Sequence, residues 1–322
     1  MAKRKKKTRV RARKRPLTKL HRRRNTKPEV SIIITSFRES HLPQALRAIE
    51  HQRLSSYEVL VVSPDPEAAQ LVKAYQRQKK PYQYVVDPGH GKSAALNLTF
   101  PKAKGDILIL TDGDVSVDHH ALKEILKPFD NPRVGCVAGR VISINNKNSM
   151  LGYWSHLLAD AGAHRIRKEG AKQGFLECSG YLFAFRNHLI KKIPTDVAED
   201  SLIPYIFKQK GFDIAYAERS RVLVKNPTAF NDWLSQRKRT AKAHETLEKY
   251  VDTKNIPRVK TFSNEIQKGL LWSLHYPQTV KEFYWTLLLF LARSYMWFCV
   301  LYETKIGKKH YTDKWERIKT AR

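Results

Sequence analysis

GDILILTDGDVSVD, residues 105–118, begins with a short apolar run, Ile107 to Thr111, that has no polar face. Such a run fits a strand covered on both sides in a parallel sheet. It stops abruptly at Asp112-Gly113-Asp114, and in an open α/β sheet the crevice beyond the carboxyl ends of the strands is where ligands bind. Asp112 and Asp114 are two apart, so in extended geometry their carboxylates project from the same side. Gly113 between them lets the backbone turn tightly and approach a ligand. Two such carboxylates suit Mg2+ or Mn2+, which keeps its other positions for water and phosphate oxygens. The alternative reading of the tripeptide is a plain turn closed by an Asx-type hydrogen bond.

Outward from this stretch the same pattern repeats. EVSIIIT (29–35) and YEVLVVS (57–63) read as buried strands, and Tyr82 to Val86 as a third, shorter one. Between them, Leu42 to His51 places Leu42, Ala45, Leu46 and Ile49 on one helical face, and Glu67 to Gln78 follows Pro66 as a second helix. Pro88-Gly89-His90-Gly91-Lys92 leads into a helix through Leu96. Four strands alternating with helices predict an α/β fold with a doubly wound, mostly parallel sheet. Beyond Asp118 the alternation loosens. Strands are expected at Val134 to Ile142, at Glu177 to Phe185 with Gly180 inside, at Asp213 to Ala217 and at Val222 to Val224. Helices are expected at Met150 to Arg167, Ser201 to Lys210 and Trp233 to Lys249. A glycine inside a strand marks a bulge or a place where a ligand comes close.

The 322 residues carry a formal charge of +30, which implies anionic partners: nucleic acid, an acidic membrane surface or phosphorylated substrates. The excess is uneven. Residues 1–27 hold no acidic side chain and are more than half Lys or Arg, so they read as a disordered basic arm without the apolar core of a secretory signal. The arm has no interleaved aromatics and no base-reading module, so nonspecific phosphate contact is the most it predicts, and nucleic acid is not expected as a functional partner. Cys136, Cys178 and Cys299 show no metal-ligand spacing and fit packing roles in a reduced compartment.

From about Val30 to His244 the motifs, in order, resemble those of the family 2 glycosyltransferases, which have the GT-A fold. VSIIITSFRES (30–40) looks like the family's opening nucleotide-binding strand and loop, and GHGKSAALN (89–97) like its Gly-Lys-x-x-Ala-Leu-Asn turn. TDGD (111–114) looks like the Asp-x-Asp metal motif, SGYLFAFR (179–186) like the acceptor-side strand, AED (198–200) like the Glu-Asp pair with the catalytic base, and QRKRT (236–240) like the Gln-x-x-Arg-Trp helix motif. Two positions depart. Ser63-Pro64-Asp65 stands where consecutive aspartates are usual, and Thr240 replaces the Trp that would give an acceptor sugar a flat platform.

The resemblance implies an inverting transferase that takes a sugar from a nucleoside diphosphate sugar, UDP-linked by the matched loop, to a glycan or lipid-linked acceptor. It implies that Thr35, Phe37, Glu39 and Asp65 hold the nucleoside, with Lys92 near the diphosphate. Asp114, assisted by Asp112, would hold Mg2+ or Mn2+; Gln236 and Arg239 would reach the same diphosphate. Asp200 would be the catalytic base, with Glu199 and Gly180 on the acceptor side. Each motif also has a plainer reading. Glu199 and Asp200 suit the first turn of any helix, Gln236 to Arg239 a solvated basic face, Lys92 a Gly-rich turn without phosphate-loop spacing, and Phe37 core packing. His164, Arg165 and Arg167 read as a solvated helix edge. A polyprenyl-phosphate sugar synthase is the nearest alternative activity, and a nonspecific nucleic-acid-binding protein the rival from another class.

FYWTLLLFLARSYMWFCVLY, residues 283–302, is long enough to cross a bilayer. Its Leu, Phe and Val residues favour insertion by roughly 4 kcal/mol, and Arg293 near the midpoint opposes it by about 3 kcal/mol. Basic residues follow it, against the positive-inside rule for a single crossing. The expectation is therefore a helix lying in the interface at the cytoplasmic face of the cell membrane, against anionic lipid, with a core helix as the alternative. The expected division is the arm at 1–27, a domain at 28–258 with the GT-A fold that the resemblance implies, and a helical, membrane-associated region at 259–322.

Overall fold

The computed structural model describes residues 28–244, 246–253, 256, 272–308, 311–314 and 320. The expected basic arm lies outside the described residues, as do the first residues of the expected C-terminal region. Eight strands, β1 (Val30–Thr35), β2 (Tyr57–Ser63), β3 (Tyr82–Val86), β4 (Ile107–Asp112), β5 (Ser116–Val117), β6 (Val134–Ser143), β7 (Leu182–Arg186) and β8 (Asp213–Val224), form one sheet in the order β3-β2-β1-β4-β7-β6-β8-β5. β1 to β4 pair in parallel. β7 runs against both neighbours and β5 runs against β8, so the sheet is mixed but mostly parallel, as expected.

Continuous apolar strands make sense here because both faces are covered. Ile32, Ile34, Val59, Val61 and Ile109 pack on one face under α1 (Leu42–Glu50) and α2 (Pro66–Arg77). Ile33, Leu60, Val62, Leu108 and Leu110 point to the other, under α3 (Lys92–Thr99) and, further along the sheet, α7 (Glu199–Gln209). α4 (Ala121–Leu126) closes the first face. α5 (Met150–Leu157), α6 (Arg165–Lys172), α8 (Phe230–Lys242) and α9 (Val280–Leu301) complete the described helices used below. Tyr153, Trp154, Trp233 and Leu289 join α5, α8 and α9 in a separate aromatic cluster.

The second half corrects the sequence reading in four places. The expected strand at Glu177 to Phe185 begins only at Leu182, so Gly180 lies in the turn before β7 and not inside a strand. Pro204 explains this in part. It has no N–H to give to the Asp200 carbonyl one turn back in α7, and that carbonyl instead accepts the Cys178 N–H at 3.2 Å, drawing residues before β7 out of any ladder. The two short strands at Asp213 to Ala217 and Val222 to Val224 are one strand with a register shift opposite Gly139 and Arg140. The helix expected at Met150 to Arg167 is interrupted by a seven-residue π-helical segment, Leu158–His164. The helix expected at Trp233 to Lys249 starts at Phe230 and stops at Lys242.

Ile33 is wholly buried in the centre of β1. Ile33→Ala should lower the free energy of unfolding by about 2–5 kcal/mol, read from urea denaturation, with the larger losses expected if its packed neighbours on both sides cannot close the void.

Candidate active site

The carboxyl ends of β1 and β4 lie side by side because the two strands pair in register from Val30 and Ile107 to Thr35 and Asp112. Thr35 Oγ1 donates to Asp112 Oδ1 at 2.6 Å. The Gly113 N–H donates to the Thr35 carbonyl at 2.8 Å, and a Cβ at Gly113 would stand 3.0 Å from Ser36 Cβ, so the tight turn leaves little room for a side chain. This corner opens into a cavity of about 370 Å³. It is lined by Thr35, Phe37, Glu39, Lys92, Asp112 and Asp114 on the side of the first strands, and by Gly180, Tyr181, Glu199, Asp200, Gln236 and Arg239 across from them.

Lys92 connects the two sides. Gly91 precedes it at φ +114°, a backbone conformation suited to glycine. The Lys92 ammonium stands 2.7 Å from Asp112 Oδ1 and 2.8 Å from Glu199 Oε1, and donates to the Gly180 carbonyl at 3.2 Å. Burial pulls its pKa down, but Asp112 and Glu199 outweigh that and hold it well above the ordinary lysine value. Lys92 is therefore a fixed positive charge. Burial pushes the Glu199 carboxyl up to about 7, with the Lys92 charge opposing and the Asp200 and Asp313 charges adding to the rise.

Glu199 and Asp200 occupy the first turn of α7. The plain helical reading of this pair holds, and both side chains also line the cavity. Asp200 Oδ2 accepts the Gly180 N–H at 2.9 Å. A Cβ on Gly180 would lie 3.2 Å from both Glu199 Oε1 and Lys92 Nζ, so the missing side chain lets three charged groups converge. Gln236 and Arg239 are three apart on α8 and both reach the cavity; Gln236 Nε2 lies 3.4 Å from the Tyr181 hydroxyl. Burial first, then the Asp114 charge, pushes that hydroxyl up to about 12.

Asp65 alone among the sequence-selected residues stays outside the cavity lining. Its carboxylate accepts the Arg38 N–H and the Ser63 hydroxyl, and so braces the loop that carries Phe37 and Glu39. Asp112 and Asp114 line the same wall with hard oxygen donors, a set that suits Mg2+ or Mn2+ with water filling the other positions. Among the described residues, no group of three or more His, Cys, Asp and Glu side chains could hold a metal ion, so such an ion would draw part of its coordination from solvent or ligand.

Sequence reasoning missed several lining residues. Arg167, read as a solvated helix edge, is buried, and its guanidinium donates to the Glu177 and Cys178 carbonyls at 3.1 Å each. His244 is buried with Nδ1 2.9 Å from the Ser201 hydroxyl. Tyr311, Asp313 and Lys314 come from the far end of the chain. The Asp313 carboxylate accepts the Ser93 N–H at the start of α3 and the Tyr311 hydroxyl proton, and a Cβ on Gly91 would collide with the Asp313 carbonyl. No local spacing announces these contacts, although the two glycines flanking His90 were a signal that something approaches closely.

Comparison with known proteins places this geometry in context. The family model described as glycosyltransferase like family 2 matches residues 28–243. An N-acetylglucosaminyltransferase of Rhizobium meliloti (strain 1021) is 22% identical over 236 residues, covering 67% of this chain and 55% of that protein. Hyaluronan synthase 3 of Xenopus laevis is 26% identical over 190 residues, covering 53% of this chain and 34% of that protein. The chain thus spans about a third to just over half the length of these curated relatives. A solved structure of the mannosyltransferase PcManGT from Pyrobaculum calidifontis, in complex with GDP-Man and Mn2+, is similar at a TM-score of 0.54 and 18% identity. The match covers 88% of this chain and 82% of that one, a likeness of fold.

The raised Glu199 carboxyl fixes a pH dependence. Between the ordinary value of 4.5 and about 7, the folded protein keeps a proton that the unfolded chain releases, so this group's contribution to stability is full below that window and is lost as pH rises through it. In urea unfolding series at pH 5 to 8, wild type should lose more stability with rising pH than Glu199→Gln. Parallel curves would contradict the assignment.

Proposed function

The chain belongs to the family 2 glycosyltransferases, and from that premise we propose that it transfers a sugar from a UDP-sugar to a glycan or lipid-linked acceptor, with inversion at the anomeric carbon. The observation that carries this reading is the shared Lys92 ammonium, which brings the end of β4 against the first turn of α7. Asp112, which this reading assigns to the diphosphate side, and Glu199 and Asp200, which it assigns to the acceptor side, line one cavity.

Asp200 takes the proton from the acceptor hydroxyl. As that proton leaves, the hydroxyl oxygen forms its bond to the anomeric carbon and the bond from that carbon to the diphosphate oxygen breaks. The Gly180 N–H on Asp200 Oδ2 orients the carboxylate for this task. Glu199 stands beside it on the acceptor side, tied to Lys92. Arg239 and Gln236 meet the charge that grows on the leaving diphosphate, and the Lys92 cation adds to that field. Thr35, Phe37 and Glu39 hold the nucleoside, and Asp65 acts on it through the loop it braces. Mg2+ or Mn2+ held by Asp114, with Asp112 beside it, would supply Lewis-acid neutralisation of the diphosphate; the Mn2+ in the PcManGT complex supports this part of the reading.

The enzyme works at the cytoplasmic face of the cell membrane, bound peripherally. The helical run Val280–Ile306 contains an 18-residue window of mean hydropathy 1.4, long and apolar enough to cross a bilayer, but α9 packs against α5 and α8, which favours a helix lying on the surface.

Asp200→Asn should lower turnover by roughly 100-fold or more while donor binding, followed by calorimetry, stays close to wild type. An active variant would remove Asp200 from its role. In a screen of nucleotide sugars with Mg2+ or Mn2+, the Asp112→Ala/Asp114→Ala double variant should release no nucleotide above background.

A further inference from the structure

α8 presents two faces. Gln236, Arg239 and Thr240 line the cavity, whereas Lys238 and Lys242, one turn apart, both pair with Glu303 at 2.6 and 2.5 Å. Arg237, Lys238, Arg239 and Lys242 place four cations within six residues, and like charges on neighbouring turns oppose helix formation. Glu303 offsets two of them. Burial pushes its carboxyl up, but the hydrogen bonds and charges of the two lysines prevail and hold it below the ordinary value.

Glu303 belongs to the π-helical turn Tyr302–Ile306 that follows α9. Near its other end α9 is fastened to α5: Trp154 Nε1 donates to the Trp285 carbonyl at 2.7 Å, and the Tyr153 and Thr286 hydroxyls bond at 2.7 Å. α9 buries Thr286, Leu289, Ala292, Met296 and Val300. Its other side shows Tyr284, Leu287, Leu291, Tyr295 and Phe298, spaced three and four apart and each at least 43% exposed. A helix pinned at both ends to the domain lies along it, and its outer strip is apolar and rich in aromatics. Lys281, Lys305 and Lys308, all exposed, stand near its two ends, in a chain of formal charge +30. The occupant this combination suits is the surface of a bilayer with anionic headgroups.

We propose that Glu303 is a positioning residue that couples this docking face to the cavity: with α9 on an anionic bilayer, the clasp on Lys238 and Lys242 holds α8 so that Gln236 and Arg239 meet the donor diphosphate. The activity part of this proposal rests on the transferase reading above; the coupling part does not. The chain returns to the cavity eight residues beyond Glu303, at Tyr311, so the clasp lies between docking face and cavity along the chain as well as in space.

The test uses the full chain, its Glu303→Gln and Glu303→Asp variants, and vesicles of phosphatidylcholine with or without phosphatidylglycerol. Wild type and both variants should sediment with anionic vesicles. Amide hydrogen exchange over residues 236–243 should then slow by about tenfold in wild type and in Glu303→Asp, but not in Glu303→Gln. The donor KM, from nucleotide release, should fall on vesicle binding in the same two proteins and stay high in Glu303→Gln, with thermal melts verifying that this variant is folded. Two results overturn the proposal: the same slowing in Glu303→Gln as in wild type, or a wild type that self-associates and leaves the vesicles bare. If exchange and sedimentation behave as expected and no sugar nucleotide is turned over, the coupling stands and the transferase reading falls.

Discussion

The ammonium of Lys92 sits between Asp112 and Glu199, and the architecture on either side is arranged so that it can. A cation largely withdrawn from water would be costly without compensating carboxylates, and the buried Glu199 carboxylate costly without a cation. Each therefore depends on the others. Asp112 arrives because β4 pairs in parallel with β1, Glu199 because α7 starts just below the turn at Gly180, and Lys92 because a glycine in a left-handed conformation begins α3 at that point. The cavity exists where these three converge, and its other polar groups take their positions from them.

The same logic explains the backbone before β7, which is paired outside the sheet ladder. Pro204 frees the Asp200 carbonyl for Cys178, and the Asp200 carboxylate takes the Gly180 N–H. One residue thus fixes the turn with both its main chain and its side chain. Arg167 closes the segment from behind by bonding the Glu177 and Cys178 carbonyls. A stretch that would have continued β7 is held instead as a shaped wall, and its lost ladder bonds are replaced one by one.

Much of this is legible in the amino-acid sequence. Residues 29–112 carry short apolar runs between amphipathic helices, and runs of that kind have few ways to be buried other than a doubly wound sheet. The polar residues at the strand ends, Thr35, Asp112 and Asp114, could be expected to gather because parallel strands bring their carboxyl ends to one edge. The second half was harder, because its decisive contacts join residues far apart in sequence. Strand propensity in ECSGYLFAF is overridden by Asp200, a partner twenty residues away from Gly180. Arg167 looked solvated because nothing near it in sequence reveals the carbonyls that bury it. Asp313 lies 220 residues from the Ser93 N–H it accepts, a distance at which periodicity carries no information.

α8 extends the dependence outward, since the helix that brings Gln236 and Arg239 to the cavity is held on its far side by α9 and the turn after it. At the centre of the account stands the claim that one lysine joins the donor and acceptor sides of a sugar-transfer site. Nucleotide release by Lys92→Met, over a panel of sugar nucleotides with Mg2+ or Mn2+, tests it most directly. A fall in kcat/KM of about 100-fold or more, in a protein whose circular dichroism matches wild type, is what the account predicts; a wild-type rate would contradict it.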